Sequence, residues 1–158
     1  MKLTIAMTIC ALLGLCGTID AKTDGGGTTP GSVTPRNGSG INVEILQSFA
    51  PPVVGEDWSV QLDCQSIPSL PTGWLIGAPL PLSGIPTFAG ELLIQGPTIL
   101  ATFSVPPHGL GSVVFFEPQV PNNPAFCGFQ ASFQGVCQGG FPTTILRLSN
   151  ALDVVVGG

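Results

Sequence analysis

Sixteen prolines are spread along the 158 residues, from Pro30 to Pro142, at about one in every ten positions. Proline removes a backbone donor and clashes with the preceding turn of a helix, so this spacing leaves no room for a helix of three turns. Short extended runs fit between the prolines, and from Ile41 onward the residues alternate with period two and show no helical spacing. In "WSVQLDC", Trp58, Val60, Leu62 and Cys64 share one face, and Ser59, Gln61 and Asp63 share the other. The closing run "LRLSNALDVVV" reads the same way. Leu146, Leu148, Leu152, Val154 and Val156 have one parity, and Arg147, Ser149 and Asp153 have the other.

Further strands are predicted over 42–49, 73–78, 90–95, 98–105, 111–117 and 127–136. Turn-forming clusters such as "APPVVGE", "IPSLPTG", "APLPLSGIP", "QGP", "PPHGLG" and "VPNNPA" separate them. Eight or nine short strands at this spacing predict an all-β fold, an antiparallel β-sandwich with jelly-roll and immunoglobulin-like topologies both open. Alternation supplies the one buried face per strand that such sheets need.

The chain is expected to divide into three parts. Residues 1–21 read as a secretory signal peptide, with one positive charge at Lys2, an apolar run from Leu3 to Leu15 and small residues near Ala21. Cleavage is expected after Ala21, with Gly17 as the other site. Lipidation is the weaker reading, because Leu15 precedes Cys16 and Ile9 precedes Cys10, where a small residue belongs. Residues 22–40, "KTDGGGTTPGSVTPRNGSG", hold almost nothing apolar and read as a flexible linker. Residues 41–158 form the sandwich domain. No later stretch reaches about 18 uninterrupted apolar residues, so no transmembrane span is expected in the mature chain.

Charge narrows the partners. Charged residues make up 8% of the chain, with a net charge of −5, and beyond residue 21 only Lys22, Arg36 and Arg147 are positive. Nucleic acid and anionic lipid both need clustered Lys and Arg, so neither is expected.

Three cysteines lie beyond the signal peptide, and they read as a staple. If "CGFQASFQGVC" is one strand, Cys127 and Cys137 lie roughly 33 Å apart at about 3.3 Å per residue, far beyond the separation of about 7 Å that a disulfide spans. Cys64 shares the inward face of its own strand with Trp58 and Leu62. A bond from Cys64 to Cys137 is favoured, with Cys64 to Cys127 as the rival. Either closes a loop of about 60 to 75 residues, worth about 4 kcal/mol in the chain-entropy model.

A metal site is not expected, since the chain has no Cys-x-x-Cys and a single histidine. That histidine, His108 in "PPHGLG", reads as a turn residue. No Gly-x-Ser-x-Gly elbow accompanies it, so no nucleophilic triad is expected. Glu56, Asp57, Glu91 and Glu117 sit at strand ends and read as solvated loop charges rather than a catalytic pair. Asp63 with Glu56 and Asp57 lacks the spacing of a calcium loop. No catalytic residue and no cofactor are expected.

The aromatic residues are the better functional candidates. Trp58 reads as core. Trp74, in "PTGWLIG", follows a turn and is the candidate binding residue, since an exposed indole stacks on the apolar face of a sugar. Leu92–Leu93, Val113–Val114 and Phe115–Phe116 put apolar side chains on both faces of their strands, so part of one sheet's outer face is expected to be covered, by loops of this chain rather than by another chain. Asn150 interrupts an apolar face and must find partners, so a bulge or turn is expected there, with the amide satisfying backbone groups.

The ordered set "WSVQLDC", "GELLIQ", "CGFQASFQGVC" and "LSNALDVVVG" resembles an uncharacterised secreted β-sandwich domain family of planctomycete-type bacteria. The resemblance covers roughly residues 42 to 158. It is carried by Gly128 with Gln134, then Ser149, Asn150, Leu152 and Gly157. It implies a fold and an exported location, and it brings no catalytic residues. The expected protein is a non-catalytic exported β-sandwich, not an enzyme, secreted or held at the periplasm or cell surface. Its expected role is structural or interaction-based in the cell envelope or extracellular matrix, with an envelope protein as partner. The alternative is a carbohydrate-binding module that takes polysaccharide on Trp74.

Overall fold

The computed structural model describes residues 29–67, 72–95, 101–105, 113–139 and 143–158. The expected signal peptide, residues 22–28 of the expected linker and His108 lie outside the described residues. The chain is all-β, built from antiparallel sheets. A five-stranded sheet takes the order β1 (Ser32–Arg36), β10 (Ile145–Val155), β9 (Gln130–Gly139), β4 (Thr72–Ala78) and β7 (Ala101–Val105). A three-stranded sheet takes the order β2 (Ile45–Ser48), β3 (Val60–Asp63) and β8 (Val113–Phe116). The strands β5 (Pro81–Thr87) and β6 (Gly90–Ile94) pair only with each other, as a hairpin.

The two larger sheets face each other across one core. From the three-stranded sheet come Leu46, Val60, Leu62, Cys64, Val114 and Phe116, and from the five-stranded sheet Leu75, Ala131, Cys137, Leu152 and Val154. Burying a leucine such as Leu62 or Leu75 contributes roughly 1.5–3 kcal/mol. Trp58 is core as expected. Its indole N–H donates to Ser48 Oγ (2.7 Å) and the Ala50 carbonyl (3.0 Å), and its ring meets Phe133 edge-on at 4.9 Å. Glycine lets the sheets approach closely: a Cβ at Gly135 would lie 2.5 Å from Leu62 Cδ1, and one at Gly73 would lie 2.7 Å from Val114 Cγ1.

Cys64 and Cys137 form a disulfide that joins the two sheets, with Cα atoms 5.7 Å apart. Cys127 is a half-buried free thiol. The expected strand over 127–136 begins instead at Gln130, after a 3-10 turn at Pro124–Phe126 capped by Asn123. Cys127 therefore lies outside the strand.

Two strands lie where none was expected. Ser32–Arg36, inside the segment read as linker, pairs with β10, with Pro35 opposite Leu152. Pro81–Thr87, inside the cluster "APLPLSGIP", pairs with β6. Both are edge strands, where a proline's missing N–H costs no ladder bond on the open side. Gly84, at φ 122°, sits where the β5–β6 register shifts between Pro81 and Ile85.

The last strand departs from its single alternation. Leu148 pairs with Val136 and Ala151 with Gln134, so Ser149 and Asn150 together oppose Gly135. This one-residue bulge flips every side chain beyond it. Leu152 and Val154 face the core, while Leu148 faces the opposite side of the sheet, against the β5–β6 turn. The hairpin covers this outer face, packing Leu92, Leu93 and Ile94 against Ile76, Ala78 and Ala151. A hairpin of the same chain thus covers the five-stranded sheet, whereas β8, one of the double-sided strands, keeps Phe115 exposed on the outer face of the other sheet.

Candidate functional site

The buried polar groups come first, because they would hold any internal chemistry. Asn42, Glu44, Glu91, Ser132, Gln134, Ser149 and Asn150 are all buried. Three of their amides act as substitute strands. Asn42 Oδ1 accepts from the Glu91 N–H (2.7 Å), and its Nδ2 donates to the Glu91 carbonyl (2.8 Å) and the Ser149 carbonyl (2.9 Å). Gln134 Oε1 accepts from the Leu93 N–H (3.0 Å), and its Nε2 donates to the carbonyls of Glu91 (2.9 Å) and Ser149 (2.8 Å). Asn150 Oδ1 accepts from the Leu46 N–H (2.7 Å), and its Nδ2 donates to the Leu46 carbonyl (3.1 Å). Asn150 is thus at a bulge and satisfies backbone groups. In doing so it occupies the edge of β2 beside the five-stranded sheet.

The carboxylates are equally engaged. Glu91 was read as a solvated loop charge, but it is buried, and its Oε2 accepts from the Ser39 N–H (2.8 Å) and Ser39 Oγ (2.9 Å). Glu44, which the alternation did not single out, is buried and accepts from the Ser66 hydroxyl and the Ser66 N–H. Asp153 takes both oxygens to Arg36, at 2.7 and 3.0 Å, and accepts from Ser132 Oγ (2.6 Å). Burial raises its carboxyl, but the bonds from Arg36 and Ser132 and the guanidinium charge outweigh that and hold it below its ordinary value. The same Arg36 donates to the carbonyls of Leu82 (2.6 Å) and Leu93 (2.8 Å), tying both hairpin strands to the sheet. Glu56, Asp57 and Glu117 are exposed, as expected of loop charges. Among the described residues no cluster of His, Cys, Asp and Glu is arranged to hold a metal ion.

Trp74 lies on β4 beside Val136, on the outer face of the five-stranded sheet. It is half-buried, and its indole N–H donates to Gln138 Oε1 at 3.3 Å. Gln138 in turn pairs with Leu146 on β10. Trp74, Val136, Gln138 and Leu146 thus form a half-buried strip beyond the hairpin, with an indole and an amide side by side.

The outer face of the three-stranded sheet carries the larger apolar surface. Ile41, Val43, Ile45 and Phe49 are exposed in alternation along β2 and its flanks, and Phe115 is exposed on β8. The pattern of Ile41 to Phe49 is readable as a period-two stripe, but only the pairing of β2 with β3 shows that this parity faces outward. Among the described residues no helix is long and apolar enough to cross a membrane. Compared with family models, curated proteins and solved structures, the chain matches none of them.

Proposed function

We propose that this is a non-catalytic exported β-sandwich protein of the cell envelope or extracellular matrix, with a structural or interaction role. The observation that carries this reading is where the polar side chains are engaged. The buried amides and carboxylates hold the chain's own backbone, while apolar side chains stand exposed on the sheet faces and at the hairpin. A buried disulfide fits an oxidising compartment, where such bonds persist.

A second reading, a carbohydrate-binding module, is favoured by one observation: the Trp74 indole and Gln138 amide lie together on the outer sheet face. A single pull-down with the secreted protein, with and without calcium, separates the two. The baits are native envelope fractions and a panel of insoluble polysaccharides. Retention on envelope material that survives Trp74→Ala is the expected result. Retention on a glycan, lost in Trp74→Ala, would replace it with the carbohydrate-binding reading.

A further inference from the structure

We propose that the outer face of the three-stranded sheet is a glycan platform that takes an extended, uncharged polysaccharide across β2, β3 and β8. The inference rests on the exported envelope or matrix reading and names the chemistry of its partner. Two phenylalanines stand on this face, Phe49 with 63% and Phe115 with 50% of its surface exposed. Neither ring belongs to the core, and the side chains between them are polar.

Strand register fixes the layout. Gln47 on β2 is opposite Gln61 on β3, and Gln61 is opposite Phe115 on β8. One pair further along, the Phe49 N–H donates to the Ser59 carbonyl (3.4 Å). The bridge of Asp57 with Gln119 continues the β3–β8 register and sets Glu117 opposite Ser59. Phe49 and Phe115 are therefore two strands and two residues apart, roughly 12 Å between Cα atoms at about 4.8 Å per strand and 3.4 Å per residue. Ser59 and Gln61 flank the line that joins the rings, with Gln47 and Glu117 at the remaining corners. A ring at each end of this diagonal can take the C–H face of a different sugar in one chain. The amides and the hydroxyl beside it donate and accept, as sugar hydroxyls do.

This mixture separates a sugar from other occupants. The amides of Asn42, Gln134 and Asn150 are committed to backbone, and that of Gln138 to the Trp74 indole. Among the described residues the Gln47 and Gln61 amides make no hydrogen bond to the chain, so they stand available to a ligand. Hydrocarbon or a dry apolar surface laid on them would remove their water and return nothing, at roughly 1–3 kcal/mol for each group left unpaired. Sugar hydroxyls return those bonds. The ionisable groups on this face are carboxylates, Asp57, Asp63 and Glu117, while the described cations Arg36 and Arg147 lie on strands of the other sheet. An anionic polysaccharide is repelled by that arrangement, and an uncharged one is not. Ile41, Val43 and Ile45 give the platform an apolar border along β2. Beneath it Val60, Leu62 and Cys64 are fully buried, and Cys64 is bonded to Cys137. The face is thus ordered before a ligand arrives, and binding carries little ordering cost.

The secreted protein is tested by depletion on cellulose, chitin, xylan and mannan, at low and high salt, beside Phe49→Ala, Phe115→Ala, Gln61→Leu and Trp74→Ala. Retention on at least one of these polysaccharides, not weakened by salt, is expected. It should fall about five- to ten-fold in each phenylalanine variant and be unchanged in Trp74→Ala. Phe115→Tyr, which keeps the ring, should bind as the parent does. Thermal unfolding of Phe49→Ala and Phe115→Ala should match the parent, since both side chains are exposed. Gln61→Leu should weaken retention, because it keeps apolar area and removes the amide. No retention on any of the four, or equal retention by both phenylalanine variants, would overturn the platform. So would loss in Trp74→Ala alone, which would move the sugar to the other sheet. Self-association that strengthens in Gln61→Leu would instead assign the face to a second copy. If no polysaccharide is retained yet native envelope fractions are, the platform fails and the envelope reading stands. If polysaccharide is retained but the protein stays inside the cell, the envelope reading fails instead.

Discussion

Asn42, Gln134 and Asn150 each set a primary amide against backbone N–H and C=O groups of a neighbouring segment, doing with a side chain what a ladder does with a strand. A buried backbone group left without a partner costs roughly 1–3 kcal/mol. In Asn150→Leu the Leu46 N–H and carbonyl both lose their partner, and the new side chain has no polar atom to offer. We expect a loss of roughly 2 kcal/mol or more, read from the midpoint of urea unfolding at unchanged slope. An unchanged midpoint would show that the amide is dispensable. At this scale the sequence was partly legible. The polar interruption at Asn150 announced a buried amide needing partners, because it broke an apolar alternation. Gln134 and Glu91 announced nothing, because a polar residue on an outward parity looks the same whether it meets water or a covering hairpin.

The β5–β6 hairpin is the element whose placement local pattern could not supply. It is held by a small apolar cluster, by Asn42 and Gln134, and by Arg36 from β1. Arg36 is oriented for this by its two-point pairing with Asp153, which faces it across the β1–β10 edge of the sheet. The carboxyl is depressed in the folded state, so its ionised form is favoured there relative to the unfolded chain. Its contribution is present above its unfolded value of about 3.9 and is lost as pH falls through the lower folded value. Between about pH 5 and pH 3 the denaturation midpoint of the parent should therefore fall more steeply than that of Asp153→Asn. Parallel curves would mean that the pair contributes nothing to stability. The proline-bearing strands β1 and β5 escaped the sequence reading for a related reason. Pro35 and Pro86 mark a turn or an edge strand equally well, and only long-range pairing distinguishes the two.

Across the whole molecule, one covalent bond joins the two facing sheets. Cys64 lies just past β3 and Cys137 is on β9, 73 residues apart in sequence. Both are fully buried in the core beside Leu62, Leu75 and Val114. Opening so long a loop in the unfolded chain should lower stability by about 4 kcal/mol. The paired substitution Cys64→Ala with Cys137→Ala should show this as a lower urea midpoint than the oxidised parent, and reduction of the parent should move it the same way. If neither shifts the midpoint, the sheets are held by packing alone. The outer surfaces matter at this scale too. The Trp74 strip and the apolar row along β2 lie on the outer faces of opposite sheets, and Phe88 is exposed at the turn of the hairpin.

By itself the sequence determined the class of fold and the inward face of β3. Prolines at this density exclude long helices, and period-two alternation selects one buried face per strand. Trp58, Val60, Leu62 and Cys64 follow directly from that. Tertiary structure decided the rest. A single inserted residue at Ser149–Asn150 reverses the faces of β10, and no local pattern records an insertion whose meaning lies in the partner strand. The same holds for Arg36, which became a clamp because β1 folds beside β10 and brings its guanidinium over two carbonyls of a distant hairpin. Alternation is a property of neighbours along the chain, whereas edges, bulges and side-chain bridges are properties of what lies across from them.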